Sequence, residues 1–369
     1  MLLVSDPCLG PEEKAALAAV IDSGWITMGE NVRLFEHTFA KVHDADDSVA
    51  VSSCTAGLHL IMHALELGPS DEVLVPSMTF VATVNCVLYV GATPVFVDIK
   101  SNDLPLMSLE DAAAKCSDRT KAVVLMHYAG YLADRSQWCN FAAEHGLMLV
   151  EDAAHAVGLA EAGTYGAAAA FSFYGNKNMT TAEGGAVIAS GERLRERIRQ
   201  MRNHGMTSGT FERRSSATPT YDVPMLGYNY RMDELRAALG LVQLHNLKAW
   251  NEKRKSLTQL YKELLKERAP EVLAPFPQAR KSAYHIMPIV LPEKADRQAV
   301  INGLRAANIQ TSIHYPPVHR LSFYQDYLPS VNLPRTEEYS ARELTLPLHP
   351  KMQEAQVDQV TRALADALS

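Results

Sequence analysis

Between about residue 47 and residue 190, short apolar, β-branched runs alternate with longer segments of helical periodicity, and this alternation constrains the fold more than any other feature of the chain. A parallel neighbour in a sheet needs a crossover of a dozen or more residues, usually a helix, so the pattern predicts a mainly parallel sheet covered by helices. The expected strands are 48–52, 72–75, 94–98, 122–126, 147–151, 169–173 and 186–189. The expected crossover helices are 55–67, 79–90, 109–116, 134–145 and 193–202. Seven strands make one large α/β domain, which with the N-terminal segment covers residues 1–250.

Beyond it the period changes. Residues 203–230 are rich in Gly, Ser, Thr and Pro and read as a long functional loop, followed by an unbroken helical pattern over 232–265. Residues 251–369 are expected to form a smaller α+β domain with strands at 285–291 and 310–314 and helices at 296–307 and 354–368.

A chain of 369 residues with 47% apolar content can bury cores for both domains, which excludes a disordered protein. The formal charge of -7 is spread along the sequence without the Lys/Arg clusters that track a nucleic-acid backbone. The start, Met-Leu-Leu-Val-Ser-Asp-Pro-Cys, has neither a basic region nor a long apolar run, and no stretch reaches the length of a membrane span, so the expected location is the cytoplasm. Five cysteines, odd in number and scattered, fit neither a disulfide framework nor a zinc site. They are expected to be reduced thiols, and no metal is expected.

Three places carry chemistry. At Ser53-Cys54-Thr55-Ala56-Gly57 a strand runs into a helix start, where free N–H groups and the helix dipole suit a phosphate, although Ser53 or Thr55 equally suits a plain helix cap. Glu151-Asp152-Ala153-Ala154-His155 sits at the C-terminal end of a strand, where open α/β sheets bind ligands; only one of the two acids can face the site, and the alanines let a flat ring approach. Lys177 follows an apolar strand among Asn, Thr and Gly rather than other charges, so partial desolvation would let it form a Schiff base with an aldehyde. Together these are the three anchors of a pyridoxal-5′-phosphate (PLP) ring: phosphate, pyridine nitrogen and aldehyde carbon.

Nearly the whole chain also resembles the DegT/DnrJ/StrS-type sugar aminotransferases, PLP enzymes of the aspartate-aminotransferase fold (fold type I). The resemblance runs from Gly24-Trp25-Ile26-Thr27 through Ser53-Cys54-Thr55-Ala56, Val75-Pro76-Ser77-Met78-Thr79-Phe80, Glu151-Asp152-Ala153-Ala154-His155, Phe171-Ser172-Phe173 and Lys177-Asn178. It continues through Glu183-Gly184-Gly185, Asn203-His204-Gly205, Gly227-Tyr228-Asn229-Tyr230-Arg231 and Ile313-His314-Tyr315. It implies that Lys177 is the Schiff-base lysine and proton carrier, that Asp152 holds the pyridine nitrogen protonated, and that Phe80 stacks on the ring. It further implies that His155 lies near the ring hydroxyl, that Thr55, Ala56 and Ser172 bind the phosphate, and that Asn229 joins them from the second subunit of a homodimer. His314 and Arg231 match positions near the substrate or the subunit boundary. The implied reaction moves an amino group from an amino acid, L-glutamate, to a nucleotide-linked keto sugar.

Cys54 stands where the family usually has Gly, and His155 where most members have Gln; relatives that aminate UDP-linked 4-keto pentoses share that His, and His127-Tyr128-Ala129-Gly130 is reminiscent of them. Retention of Lys177 argues against the deoxygenating branch, in which His replaces it, and no cysteine cluster suggests an iron–sulfur partner. Amination of a keto-cyclitol and synthesis of an aminohydroxybenzoate use the same site and stay open. A non-catalytic PLP-binding regulator would need a DNA-binding segment or basic face, and the sequence has neither.

Overall fold

In a computed structural model, which describes residues 1–214, 220–277 and 280–369, the expected strands form a single sheet. They are β1 (Val49–Val51), β2 (Glu72–Pro76), β3 (Thr93–Val97), β4 (Thr120–Met126), β5 (Met148–Asp152), β6 (Ala168–Ser172) and β7 (Gly185–Ala189). Their spatial order is β1-β7-β6-β5-β4-β2-β3. Strands β2 to β6 run parallel, whereas β7 is antiparallel to both of its neighbours, β1 and β6. The sheet is therefore seven-stranded and mostly parallel, as the alternation of short apolar runs with helical segments predicts.

Helices α1 (Pro11–Ser23) and α2 (Glu30–Val42) precede the sheet; α3 (Cys54–Ala64), α4 (Val81–Tyr89), α5 (Leu109–Lys115), α6 (Arg135–Glu144) and α7 (Glu192–Arg202) cross between its strands or leave it. Side chains specify several starts: Ser53, Ser108 and Asp134 accept N–H groups in the first turns of α3, α5 and α6. Along β6 the side chains divide by period two. Ala168 and Ala170 join Leu58, Ile61, Val84 and Val187 on one face, and Ala169 and Phe171 join Phe35, Phe39 and Leu244 on the other. Helix α3 lies close to the sheet because Gly57 has no side chain; a Cβ there would stand 2.9 Å from Val187.

The loop expected at 203–230 contains a short helix, α8 (Thr210–Arg214), and residues 215–219 lie outside the described part. Helix α9 (Glu234–Arg268) is the long helix read from the sequence, and it passes through residue 250, where the two domains were expected to divide. Its first part packs on α1 and α2, and Leu257, Tyr261 and Leu265 enter a separate core beneath a two-stranded sheet, β8 (Met287–Val290) and β9 (Glu343–Leu346). Helices α10 (Arg297–Ala306), α11 (Ser322–Tyr327), α12 (Pro334–Arg342) and α13 (Glu354–Leu368) complete the chain. None of the helices among the described residues is long and apolar enough to cross a membrane.

One expected strand is corrected. Residues 310–314 pair with β9 only through Ser312 and Thr345. Past that bridge, the His314 N–H goes to the Glu343 side chain rather than to a backbone carbonyl, and Pro316 and Pro317 carry no N–H to continue a ladder. The true partner of β8 is β9, in register Met287 with Leu346.

His43, which closes α2, shows how strongly the core selects neutral groups. Its ring packs on Phe39 and Phe171 at 4.7 and 4.5 Å, Nδ1 bonds the Ala162 carbonyl at 3.1 Å, and Nε2 accepts the Gly158 N–H at 3.2 Å. Both ring nitrogens are satisfied only when the ring is neutral, and burial pushes its pKa from 6.5 down to about 4. Because the folded value is the lower one, this stabilisation is present above pH 6.5 and is lost as the pH falls toward 4, by on the order of 3 kcal/mol. The urea midpoint should therefore drop between pH 7 and pH 4.5 by clearly less in His43→Gln than in the native chain; equal drops would show that His43 does not drive the acid transition.

Candidate active site

The C-terminal ends of the parallel strands deliver the site. Asp152 is the last residue of β5, flanked by Met126 of β4 and Ala170 of β6. Alternation settles which acid faces inward. Glu151 points away, accepting the N–H groups of Gly163 and Tyr165 at 3.0 and 2.9 Å and contacting His127 Nε2 at 2.8 Å.

Asp152 is 3% exposed. Its Oδ2 accepts the Thr83 hydroxyl at 2.6 Å and its Oδ1 the Ala154 N–H at 3.1 Å. Burial raises its pKa, against those two hydrogen bonds and the positive charge of Lys177. Asp152 forms no ion pair among the described residues; its carboxylate is held by hydrogen bonds, and the charge of Lys177 acts on it without direct contact. Thr83 is itself oriented by Thr79, 2.7 Å away across one turn at the start of α4.

Lys177 follows β6 in a tight turn, its N–H bonded to the Tyr174 carbonyl at 2.9 Å. The next residue anchors that turn. Asn178 Nδ2 donates to Asn251 of α9 at 2.8 Å and to the Ala283 carbonyl at 2.7 Å, while its Oδ1 contacts His285 Nδ1 at 2.8 Å. Burial lowers the Lys177 pKa to about 8, with Asp152 opposing the shift.

Three histidines converge beside this lysine. The His155 and His285 rings lie 4.2 Å apart with their planes tilted by 48°, and His314 lies 6.4 Å from His155. Burial, with the charge of Lys177 adding to it, drives His155 and His285 well below the usual histidine range and His314 to about 4. All three are therefore neutral near pH 7. His155 Nε2 meets the Tyr315 hydroxyl at 2.9 Å, and its Nδ1 is buried without a partner. Phe80, 56% exposed, stands 6.2 Å from the Tyr315 ring at the mouth.

At the start of α3, Ser53 Oγ accepts the Ala56 N–H at 3.1 Å, so Ser53 is the cap, and Thr55 and Ala56 lie in the first turn. Ser172, last in β6, pairs with Gly185, and a Cβ on Gly185 would come within 2.6 Å of the Cys54 nitrogen and 2.7 Å of the Phe171 carbonyl. Two strand ends and a helix start are thereby drawn to one point. Asn229 is exposed and pairs with Asn203. Arg231 bridges Val51 at the end of β1 and donates to Asn203 at 2.9 Å. Of the two expected substrate positions, only His314 joins the histidines.

Sequence reasoning missed Thr83, Tyr315 as a partner of His155, and the Asn178–His285 pair. The spacing of Thr79 and Thr83, one turn apart at a helix start, is a usable signal for the first; the others depend on contacts more than a hundred residues apart in sequence.

The fold has known counterparts. A protein described as Helicobacter pylori PseC, an aminotransferase involved in the biosynthesis of pseudoaminic acid, superposes with a TM-score of 0.92 at 28% identity, over 100% of this chain and 99% of that one. DesV from S. venezuelae, solved in complex with a ketimine intermediate, gives 0.88 at 33% identity over 96% and 94%. The putative sugar aminotransferase Spr1654 from Streptococcus pneumoniae, in its PMP-form, gives 0.91 at 26% identity over 98% of each. A family model matches residues 7–365. The chain belongs to the DegT/DnrJ/EryC1/StrS aminotransferase family.

Proposed function

We propose that this chain is a sugar aminotransferase that moves an amino group from L-glutamate to a nucleotide-linked keto sugar, with pyridoxal phosphate as its cofactor. The observation that carries the reading is the placement, at the end of β5 and just past the neighbouring β6, of a buried carboxylate without a direct ion pair, Asp152, and a lysine whose pKa is lowered to about 8, Lys177. The relatives described as sugar aminotransferases, one of them in a PMP-form, support the substrate class and the cofactor.

When bound, pyridoxal phosphate supplies an aldehyde carbon that carries the amino group and a ring that takes up the electrons left at the substrate Cα. The residues present fit it. Asp152, fixed by Thr83 and Ala154, offers the negative charge that a protonated ring nitrogen needs. The first turn of α3, with Thr55 and Ala56, and Ser172 beside it hold the phosphate. His155, whose buried Nδ1 has no partner among the described residues, would be the group nearest the ring hydroxyl, and Phe80 would stack on the ring. Lys177, free of its proton in a useful fraction of molecules near neutral pH, would hold the aldehyde carbon and, as a free amine, would accept and return the substrate Cα proton.

Asn229 reaches the phosphate of a second copy, in a homodimer with shared sites. Its exposure in the single chain supports this, as do the exposed Tyr89, Tyr174 and Leu226.

Three outcomes follow. Lys177→Ala should lack the yellow lysine-linked absorption band, and Asp152→Asn should keep the band but bleach with L-glutamate on the order of 10²- to 10⁴-fold more slowly; a native protein that binds no pyridoxal phosphate would sink the reading. In stopped-flow absorbance, uptake of pyridoxal phosphate by cofactor-free protein should accelerate as the pH rises through about 8 and level off above it, because the reactive species is neutral Lys177. Mixing inactive Lys177→Ala chains with Asn229→Ala chains should restore turnover in mixed dimers, since one site then regains both residues; mixtures as inactive as their parts would refute shared sites.

A further inference from the structure

His314 is awkward as a lone proton carrier. Its ring is nearly buried and neutral, with a pKa near 4 set by burial and by the charge of Lys177. The ring is nevertheless wired to something that can hold a proton. His314 Nδ1 lies 2.8 Å from Thr345 Oγ1, Thr345 Oγ1 lies 2.6 Å from Glu343 Oε1, and Glu343 Oε2 accepts the His314 backbone N–H at 2.8 Å. Glu343 and Thr345 alternate along β9, so period two puts both on the side facing His314. Glu343 is fully buried, and burial raises its pKa to about 8. The groups around it are the Tyr128, Tyr339 and Tyr315 hydroxyls, whose pKa values burial raises, and Arg297, which lowers that of Glu343 from a distance and donates to its backbone carbonyl. Facing His314 on the other side are Lys177, His155 and His285.

We propose that Glu343 and Thr345 are positioning residues that form a proton relay with His314, letting Nε2 exchange a proton with the bound substrate while the imidazole stays neutral. With Glu343 ionised, Thr345 donates to Oε1 and accepts from Nδ1–H, and Nε2 is bare. When a proton arrives at Nε2, Nδ1 gives its proton to Thr345 Oγ1 and Thr345 gives its own to Glu343 Oε1. The network has gained one proton, now resting on the carboxyl, and His314 has changed tautomer without acquiring charge. Run in reverse, the same three transfers deliver a proton from Nε2, which a keto sugar needs when its carbonyl oxygen leaves as water. The relay holds its proton with the affinity of Glu343, near 8, rather than that of an isolated buried imidazole, near 4. The catalytic use of this relay rests on the aminotransferase reading above.

The test is ¹⁵N NMR of histidine-labelled holoenzyme without substrate, with the His314 signals assigned by comparison with His314→Gln. On raising the pH from 6.5 to 9.5, the native chain should pass from the Nε2–H to the Nδ1–H tautomer with a midpoint near 8. Glu343→Gln, whose amide donates permanently to Thr345, should stay Nε2–H throughout; Thr345→Val should show no linked transition, and Thr345→Ser should restore it. In turnover, Glu343→Gln should lose the kcat limb near pH 8 and fall about ten-fold or more in kcat with little change in KM. A native tautomer that does not respond to pH, or one that responds identically in Glu343→Gln, overturns the relay whatever the turnover. A normal tautomer transition in a protein that aminates no keto sugar overturns the assigned reaction instead, and with it the catalytic use of the relay.

Discussion

A carboxylate taken out of water without a direct ion pair is among the costliest features a fold can carry, and Asp152 is placed in that condition, with only the more distant charge of Lys177 to offset it. Thr83 and Ala154 satisfy its hydrogen bonds but supply no charge. Much of the surrounding architecture follows from holding it there. The parallel strands β4, β5 and β6 put it at their C-terminal ends, and the small residues Ala153, Ala154 and Ala170 keep space beside it. Thr79 and Thr83 at the start of α4 orient the carboxylate toward that space. Buried without a direct ion pair, Asp152 is suited to a cation that enters that space.

The desolvation that strains Asp152 is also what makes Lys177 useful. In water a lysine is protonated at neutral pH almost without exception. Here burial pulls it to about 8, and Asp152 limits the descent. The neighbouring histidines obey the same physics with the opposite consequence: already close to neutrality in water, they are driven fully neutral and act as donors and acceptors rather than charges. A cluster of three imidazolium rings beside Lys177 would have pushed the lysine lower still; neutral rings can line the site without competing with Asp152.

The sheet was legible in the sequence because the middles of its strands are short apolar runs, a requirement of burial on both faces. Lys177 and Asp152 were legible because strand ends are where such sheets bind ligands, because Lys177 has no charged neighbours in sequence, and because small alanines follow Asp152. What escaped is what chain separation hides. Strand β9 reads as nothing in particular, Glu-Leu-Thr-Leu, because its polar face is committed to His314, about thirty residues away, instead of to solvent. Residues 310–314 carry the composition of a strand but divide their backbone bonds among Leu2, a single bridge to Thr345, the Glu343 carboxylate and the Tyr128 hydroxyl. Arg231, grouped with His314 on resemblance, lies at the end of β1, since backbone pairing of Ser52 and Val51 with residues 230 and 231 fixes it there.

The site draws on both sheets, so its precision depends on how one is held against the other. Helix α9 does this with one face. Asn251 fixes the Asn178 side chain beside Lys177; three residues on, Arg254 donates to the Leu348 carbonyl, and two turns further Tyr261 donates to the Pro347 carbonyl just past β9. Spacings of three and seven keep those side chains on one stripe of the helix. The lysine turn on the large sheet and the strand that carries Glu343 and Thr345 are thus referred to the same rigid rod. Burying the Arg254 guanidinium without a carboxylate partner is costly enough to lower its pKa to about 10. What that cost secures is the distance between Lys177 and His314, which neither sheet could set alone.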